Sequence, residues 1–313
     1  MTIDKWLALG QTATELGLVN ALVVLSLFLS YSMLNVCDLS TDGCYTLGAA
    51  VGALAAIAGF PWLSLPAAML AGMVSGFVTA TLQTRMGVQS LLAGIVVNTG
   101  LYSVNMALTG NKATLAMNKT ATIFSMAKDL LKGTALAGQS TLMIMLIVVA
   151  LVVIFLCVFL KTKLGLAIRA TGSNADMVRS SSINPTFTTT VGLCISNAFT
   201  ALSGCLMAQQ QKSFDINMGQ GTVTVALASL LIGGVFVAKH KPMPLRAAGA
   251  VLGAIVFRVV YALALRFNMP AFMLKLVSAV IVVLAISGPY LRQQLPLVIR
   301  RWKASREGGL KDA

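Results

Sequence analysis

The chain has 313 residues, 57% hydrophobic and 10% charged, with 23 Lys and Arg against 9 Asp and Glu and a formal net charge of +14. A soluble domain carries roughly 25% charged and 45–50% apolar residues, so the composition excludes a soluble enzyme, a disordered tail and a secreted disulfide domain. The positive excess would point to nucleic acid in a soluble protein, but the charge-free runs Gly43–Thr84, Met86–Asn111 and Gly133–Leu160 are each longer than the roughly 20 apolar residues of a membrane-spanning helix; loops of membrane proteins collect Lys and Arg, and no nucleic-acid partner is expected.

Residues 1–17 form an N-terminal segment with Asp4 and Glu15 against Lys5, without the cleavage site of a signal peptide. Apolar segments follow at about 18–36, 45–60, 62–82, 88–108, 139–160, 187–209, 221–237, 247–265 and 271–290. The expected fold is an all-α polytopic transmembrane helical bundle of eight or nine membrane segments, one re-entrant if there are eight crossings. It occupies residues 18–290 and is followed by a basic tail at 291–313. Alternate loops carry Arg85, then Lys161, Lys163, Arg169 and Arg179, then Lys239, Lys241 and Arg246, and the tail adds Arg292, Arg300, Arg301, Lys303, Arg306 and Lys311. The opposite loops hold Lys5, Lys112, Lys119, Lys128, Lys132, Lys212 and Arg266, half as many. The positive-inside bias places the C-terminus and the 161–186 loop in the cytoplasm and the 109–138 stretch outside; nine crossings put the N-terminus outside.

Gly48/Gly52, Gly72/Gly76 and Gly249/Gly253 have the small-xxx-small spacing that lets helix backbones approach. The five cysteines (Cys37, Cys44, Cys157, Cys194, Cys205) lack zinc or CxxC spacing and read as small buried hydrophobes. The polar loop 161–186 holds the sequence KTKLGLAIRATGSNADMVRSSSIN and its flank. Leu164–Thr171 extends a helix, Gly172 is expected to break it, Ser173 to cap a short second helix over Ala175–Ser181, and Asn184-Pro185 to end it. A short helix between spans suits docking into a partner's groove; an ordinary basic loop is the plainer alternative.

Gly165-Leu-Ala-Ile-Arg-Ala-Thr-Gly-Ser-Asn174, continuing through Arg179 to Asn184, resembles the cytoplasmic coupling loop of ABC-importer permeases of the branched-chain amino acid/ribose type, with Ser182 where a Gly is usual. Leu34-Asn-Val-Cys-Asp-Leu-Ser-Thr-Asp-Gly-Cys-Tyr-Thr-Leu-Gly-Ala-Ala50 resembles that family's broken second segment. Irregular backbone at membrane depth must be buried in protein or line a cavity. Leu91–Ile95 with Leu101–Asn105, Ala201–Gly204 with Asp215–Gly219 and Leu227–Ser229, and Arg258 with Ala262–Arg266 and Leu274–Ile281 resemble the branch linked with aromatic amino acids and related solutes. Gly233-Gly234 departs from a usual Gly-Glu.

The resemblance implies the membrane-spanning subunit of a bacterial ABC importer in the cytoplasmic membrane. It would move a small solute, an amino acid and specifically an aromatic one, or else a nucleoside, purine or sugar, by alternating access. The implied partners are an ABC ATPase subunit, an extracytoplasmic solute-binding protein, a second permease chain as a homodimer, and the lipid membrane. ATP and Mg would belong to the ATPase, with no cofactor on this chain. The loop residues Arg169, Ala170, Thr171, Gly172, Asn174, Met177 and Arg179 are the implied ATPase-coupling set.

The polar residues Asp38, Asp42, Asn98, Tyr102, Asn105, Asn197 and Arg258 are candidates for the translocation path; interhelical hydrogen bonding is the equal alternative for the amides. Arg258 lies about 11 residues into its predicted span. An intramembrane Arg needs an acid or a cavity. An ion pair with Asp38, Asp42 or Asp215 is the preferred reading, a cationic wall facing a substrate carboxylate the other. His240 lies in a solvated turn. There is no GxxxxGK[ST] for ATP phosphates, no nucleophile–base pair and no metal-ligand spacing, so the chain is not expected to be an enzyme. No carboxylate lies well inside an apolar run, which argues against the remaining alternative, an ion-coupled carrier.

Overall fold

A computed structural model of the chain describes residues 3–118, 120–130, 139–237 and 241–266, with single positions between 273 and 287. The ninth predicted segment, apart from those positions, the basic tail, Lys119, Lys132, Lys239 and His240 lie outside the described residues. The described residues form an all-α bundle with one small sheet. In chain order the elements are α1 (Ile3–Leu27), which runs into a π-helical turn Phe28–Met33, α2 (Thr41–Ile57), α3 (Ser64–Thr84), α4 (Ser90–Leu108), β1 (Thr114–Ala116), α5 (Ile123–Leu130), α6 (Ser140–Phe159), α7 (Lys163–Ser173), α8 (Ala175–Ser180), α9 (Pro185–Gln211), β2 (Ser213–Asp215), α10 (Thr222–Phe236) and α11 (Met243–Arg266). Among the described residues six helical stretches are long and apolar enough to cross a membrane, and α2 and α10 are shorter apolar helices. The predicted N-terminal segment is helical from Ile3 onward, so the first span begins well before residue 18.

Helix α9 is the axis of the bundle. It is buried along most of its length, as is α1, whereas α6 shows a wide apolar face. Leu146, Ile147, Leu151, Ile154, Phe155 and Val158 are exposed on α6, the surface of a helix that faces lipid. Lipid is as apolar as leucine, so close packing and hydrogen bonds hold such helices together rather than water exclusion. The predicted glycine pairs supply the packing. A Cβ on Gly48 or Gly52 would meet Ala201 and Cys205, and one on Gly72 or Gly76 would meet the Asn197 and Leu193 carbonyls of the same α9. Helices α2 and α3 therefore lie on α9 backbone to backbone, α2 parallel to it and α3 antiparallel. Gly249 and Gly253 do the same for α11 against Gly233 and Ser229 of α10. Hydrogen bonds add to this: Ser26 of α1 lies 2.8 Å from the Ser196 hydroxyl and 2.7 Å from that of Thr200.

Two ends of the bundle are distinct. At the sheet end β1 pairs antiparallel with β2, Leu115 opposite Phe214. Helix α1 starts at this end, where Gln210 Nε2 of α9 donates to Glu15 Oε2 at 3.4 Å. At the other end, the loop end, α7 and α8 join α6 to α9. There Arg246 Nη2 donates to Ser32 Oγ at 3.0 Å and its guanidinium lies 5.4 Å from the Phe28 ring centroid, which ties the π-turn to the start of α11.

The 161–186 loop folds as two helices, with two corrections to its expected anatomy. Gly172 does not break α7, which continues to Ser173. The cap of α8 is Asn174, not Ser173: Asn174 Oδ1 accepts from the Asp176 and Met177 amides at 3.1 and 3.0 Å. Extended at φ −159°, ψ 102°, Asn174 supplies the kink that the glycine was expected to supply. Gly172 serves a packing role instead, since a Cβ there would collide with the Met33 carbonyl and Leu34 backbone. Ser182 sits at φ +61°, a left-handed conformation that explains why glycine is usual at its place in the motif.

Candidate functional site

Between Met33 and Thr41 the chain has no helix. This stretch rises beside α9 from the loop end. Cys44 Sγ lies 3.3 Å from the Asn197 carbonyl, and Asn197 is twelve residues into α9, about 18 Å from its start at 1.5 Å per residue. Helix α2 thus begins near the middle of the bundle. Its 17 residues span about 25 Å, less than the roughly 30 Å hydrocarbon thickness. Within the unwound segment Leu34, Asp38 and Ser40 are buried while Asn35 is exposed, and irregular backbone at this depth is tolerated where it is buried in protein or lines a cavity.

Asp38 organises it. The residue is 1% exposed. Its Oδ1 accepts from the Ser40 amide at 2.8 Å and the Ser40 hydroxyl at 2.6 Å. Its Oδ2 accepts from Asn197 Nδ2 of α9 at 2.8 Å. Thr79 of α3 donates to Ser40 Oγ at 3.2 Å, and Thr41 to the Asp38 carbonyl at 2.9 Å. A buried carboxylate costs several kcal/mol unless fully hydrogen-bonded, and here both oxygens are used.

Asp42 does something the sequence alone did not reveal. Its Oδ2 accepts from the Gly221 amide at 2.9 Å, and its Oδ1 from the Thr222 hydroxyl at 2.8 Å and the Val223 amide at 2.9 Å. An acid of α2 thereby caps α10, satisfying two of its free amides and facing the positive end of its dipole. Helix α10, 15 residues long and so about 22 Å, starts at the same depth as α2. It is a half-helix reached by a segment that descends from the sheet past Gly219, whose absent Cβ would collide with the Asp42 carbonyl.

The other predicted path residues fall into separate groups. Asn105 Nδ2 donates to the Gly43 carbonyl at 3.2 Å, and Asn98 also flanks Gly43. Tyr102, one turn from Asn98 and Asn105 on α4, is 48% exposed, as are the neighbouring Thr99 and Ser103 on the open side of the helix. Arg258 joins none of these. It lies 15 residues into α11, past mid-depth towards the sheet end, because the helix starts at Met243 rather than at 247. Among the described residues no acid pairs with it: Asp38 and Asp42 are committed as above, and Asp215 accepts from the Asn217 amide. The preferred ion-pair reading of Arg258 is therefore not what the structure contains. Its guanidinium lies 5.8 Å from the Tyr261 ring centroid, and Nε is sealed from solvent without a partner.

The residues predicted to couple to an ATPase divide by exposure. Ala170, Asn174, Met177 and Arg179 are exposed and Arg169 is half-buried. Thr171 is buried and bonds the Thr188 hydroxyl of α9 at 2.8 Å, and Gly172 packs on Met33 and Leu34. The first group presents a surface, while Thr171 and Gly172 fix that surface to the bundle. Among the described residues no group of three or more His, Cys, Asp or Glu could hold a metal ion.

Residues 13–286 match the family described as branched-chain amino acid transport system, permease component. The chain is 32% identical to the tyrosine transport system permease protein of Clostridioides difficile (strain R20291) over 273 residues, 85% of this chain and 86% of that protein. It is also 32% identical to the uncharacterized protein RP368 of Rickettsia prowazekii (strain Madrid E) over 224 residues, 71% of this chain and 75% of the relative. No solved structure matches it. A bundle of membrane-length helices with an unwound, acid-centred second segment and a two-helix loop, matched over nearly its whole length, belongs to the branched-chain amino acid permease family of ABC-type transport systems.

Proposed function

We propose that the chain is the membrane-spanning subunit of a bacterial ABC importer, working in the cytoplasmic membrane with the loop end and the C-terminus in the cytoplasm. The observation that carries this reading is the seating of α7. Its Gly172 packs on the backbone of Met33 and Leu34, and Leu34 also packs at Gly192 of α9. Asp38 lies four residues further along. A push on the exposed residues Ala170, Asn174, Met177 and Arg179 therefore meets the unwound segment directly. An ATPase that closes on ATP and Mg would dock there and drive alternating access, and this chain would carry no cofactor. The cationic loop end follows the positive-inside rule.

Thr99, Tyr102 and Ser103 form a polar strip on the open face of α4. Polar side chains facing lipid are costly, and a second copy of the chain would cover the strip as a shared translocation path, with Asn98 and Asn105 behind it. A solute-binding protein would deliver substrate at the sheet end. The proposed substrate is an amino acid, specifically an aromatic one, supported by the relative named for tyrosine transport.

The test is purification of the tagged chain from its native membranes in mild detergent, with mass identification of its companions. Recovery of a P-loop ATPase at about one to one, lost on Arg179→Glu, is expected. A chain that emerges alone after cross-linking, and whose transport collapses with a protonophore at constant ATP, would be an ion-coupled carrier instead.

A further inference from the structure

A cavity of about 580 Å³ opens between α1, α9, α10 and α11 in the half of the bundle nearer the sheet. It is separate from the polar strip of α4. Its mouth is formed by Gln211, Gln220 and Thr224, all exposed. Its walls include Asn20 of α1, Tyr45 of α2, and Arg258 and Tyr261 of α11. Small-molecule sites span roughly 300–1,000 Å³ and pair apolar walls with a few placed polar groups.

Two of the polar groups here are unanswered. Asn20 is 4% exposed, and its Nδ2 has no hydrogen-bond partner. Arg258 Nε is equally sealed and equally unpartnered. Both are donors. A buried donor left unsatisfied is costly, a guanidinium is always charged, and an intramembrane cation persists where it meets a counter-charge or a polar cavity. The ring of Tyr261 at 5.8 Å answers part of the charge but none of the hydrogen bonding. The acid nearest to the cavity's α10 wall, Asp42, spends both oxygens on Gly221, Thr222 and Val223. Asp42 therefore gives that wall no free carboxylate.

We infer that this cavity binds a small organic carboxylate, its oxygens on Arg258 and Asn20 and its apolar body against Tyr45 and Tyr261. Access from the external water rests on the orientation proposed above; the binding itself does not.

The purified full-length chain in phosphatidylcholine nanodiscs is titrated calorimetrically with 3-phenylpropionate and with its neutral amide. The acid is expected to bind at least about tenfold more tightly than the amide. Arg258→Gln should erase that preference, and Asn20→Leu should weaken the acid by about three- to tenfold while sparing the amide. Both variants should unfold no earlier than the parent without ligand, since Arg258→Gln removes an unpaired charge and Asn20→Leu an unanswered donor. Where Arg258→Gln fails to insert, Asn20→Leu carries the comparison. Equal binding of acid and amide, or an acid affinity indifferent to both substitutions, overturns the assignment. So does acid binding abolished by phosphatidylglycerol nanodiscs alone, which gives the site to a lipid headgroup. A chain that recruits an ATPase yet shows no preference for the acid loses this site and keeps its proposed transport role.

Discussion

Replacing Asp42 by Ala would test whether α2 and α10 are joined through one carboxylate. Three bonds end on it, two from the amides of Gly221 and Val223 and one from the Thr222 hydroxyl, all between 2.8 and 2.9 Å. Hydrogen bonds to a charged group contribute about 1.5–3 kcal/mol each, but removing the carboxylate also removes its own desolvation cost. A net loss of about 3 kcal/mol is expected for Asp42→Ala. Asp42→Asn keeps an oxygen for one amide and should lose about half as much. Thr222→Val gives up one hydroxyl bond to the same carboxylate, about 1.5 kcal/mol. In the double variant the hydroxyl has nothing left to lose, so the two effects should fall short of additivity by about 1.5 kcal/mol. Unfolding by denaturing detergent in mixed micelles gives the four values, and hydrogen exchange localises them: the Gly221 and Val223 amides should exchange faster while the Asn197 region keeps its protection. An Asp42→Ala variant within 0.5 kcal/mol of the parent, or an additive cycle, refutes the cap.

Gly172→Val should separate hydrolysis from transport, because its side chain wedges α7 off Met33 and Leu34; in proteoliposomes ATP turnover should persist while solute uptake falls at least about tenfold, and unchanged uptake per ATP would contradict the proposed coupling. Ser182→Gly relieves a left-handed residue at φ +61° and should stabilise the chain by about 1 kcal/mol, read as a higher unfolding midpoint. Asn197→Leu takes the donor from Asp38 Oδ2 and leaves a buried carboxylate oxygen unanswered, so unfolding should come about 3 kcal/mol earlier; the compensating Asp38→Asn in the same chain should recover part of that loss, and no recovery would place the damage elsewhere.

The helical bundle was legible because hydrophobic length is the strongest signal a membrane chain carries. The unwound second segment was legible too, since Asp38, Ser40, Thr41 and Asp42 interrupt two apolar runs. What these residues bond to was not. Asp38 finds Asn197 across 159 positions and Asp42 finds Val223 across 181, and no local pattern encodes such a pairing. The same holds for the Asn20 and Arg258 cavity. Asn20 stands as a lone amide between apolar neighbours, a visible signal, but nothing near it in sequence names α11 as the opposite wall. The differences in the 161–186 loop have a simpler origin. Gly172 has the backbone freedom of a helix breaker, but its lack of a side chain is what the structure uses. With the glycine spent on packing, the kink passed to Asn174, whose side chain can cap a helix from an extended backbone.

These pairings bear on how motion could cross the bundle. Helix α7 touches the unwound segment at its loop end, and Asp38 anchors the other end of that segment to α9 through Asn197. Asp42, four residues on, holds the start of α10. Helices α2 and α10 therefore share one origin, near mid-depth, and neither can shift along its axis without straining the three bonds to Asp42. Helix α10 is in turn packed on α11 by Gly233 against the Gly249 backbone, with the Val237 side chain beside the contact. A small movement of α7 would thus reach α11 through close glycine contacts and one carboxylate. Such contacts favour two discrete arrangements over a continuum, since close-packed interfaces repack rather than stretch. Arg258 and Tyr261, on the sheet-side half of α11, stand at the far end of this line, so the cavity they wall should change shape when α7 moves. A ligand held there would then favour one of the two arrangements, and by linkage the arrangement favoured at α7 would change the affinity of the cavity by the same factor.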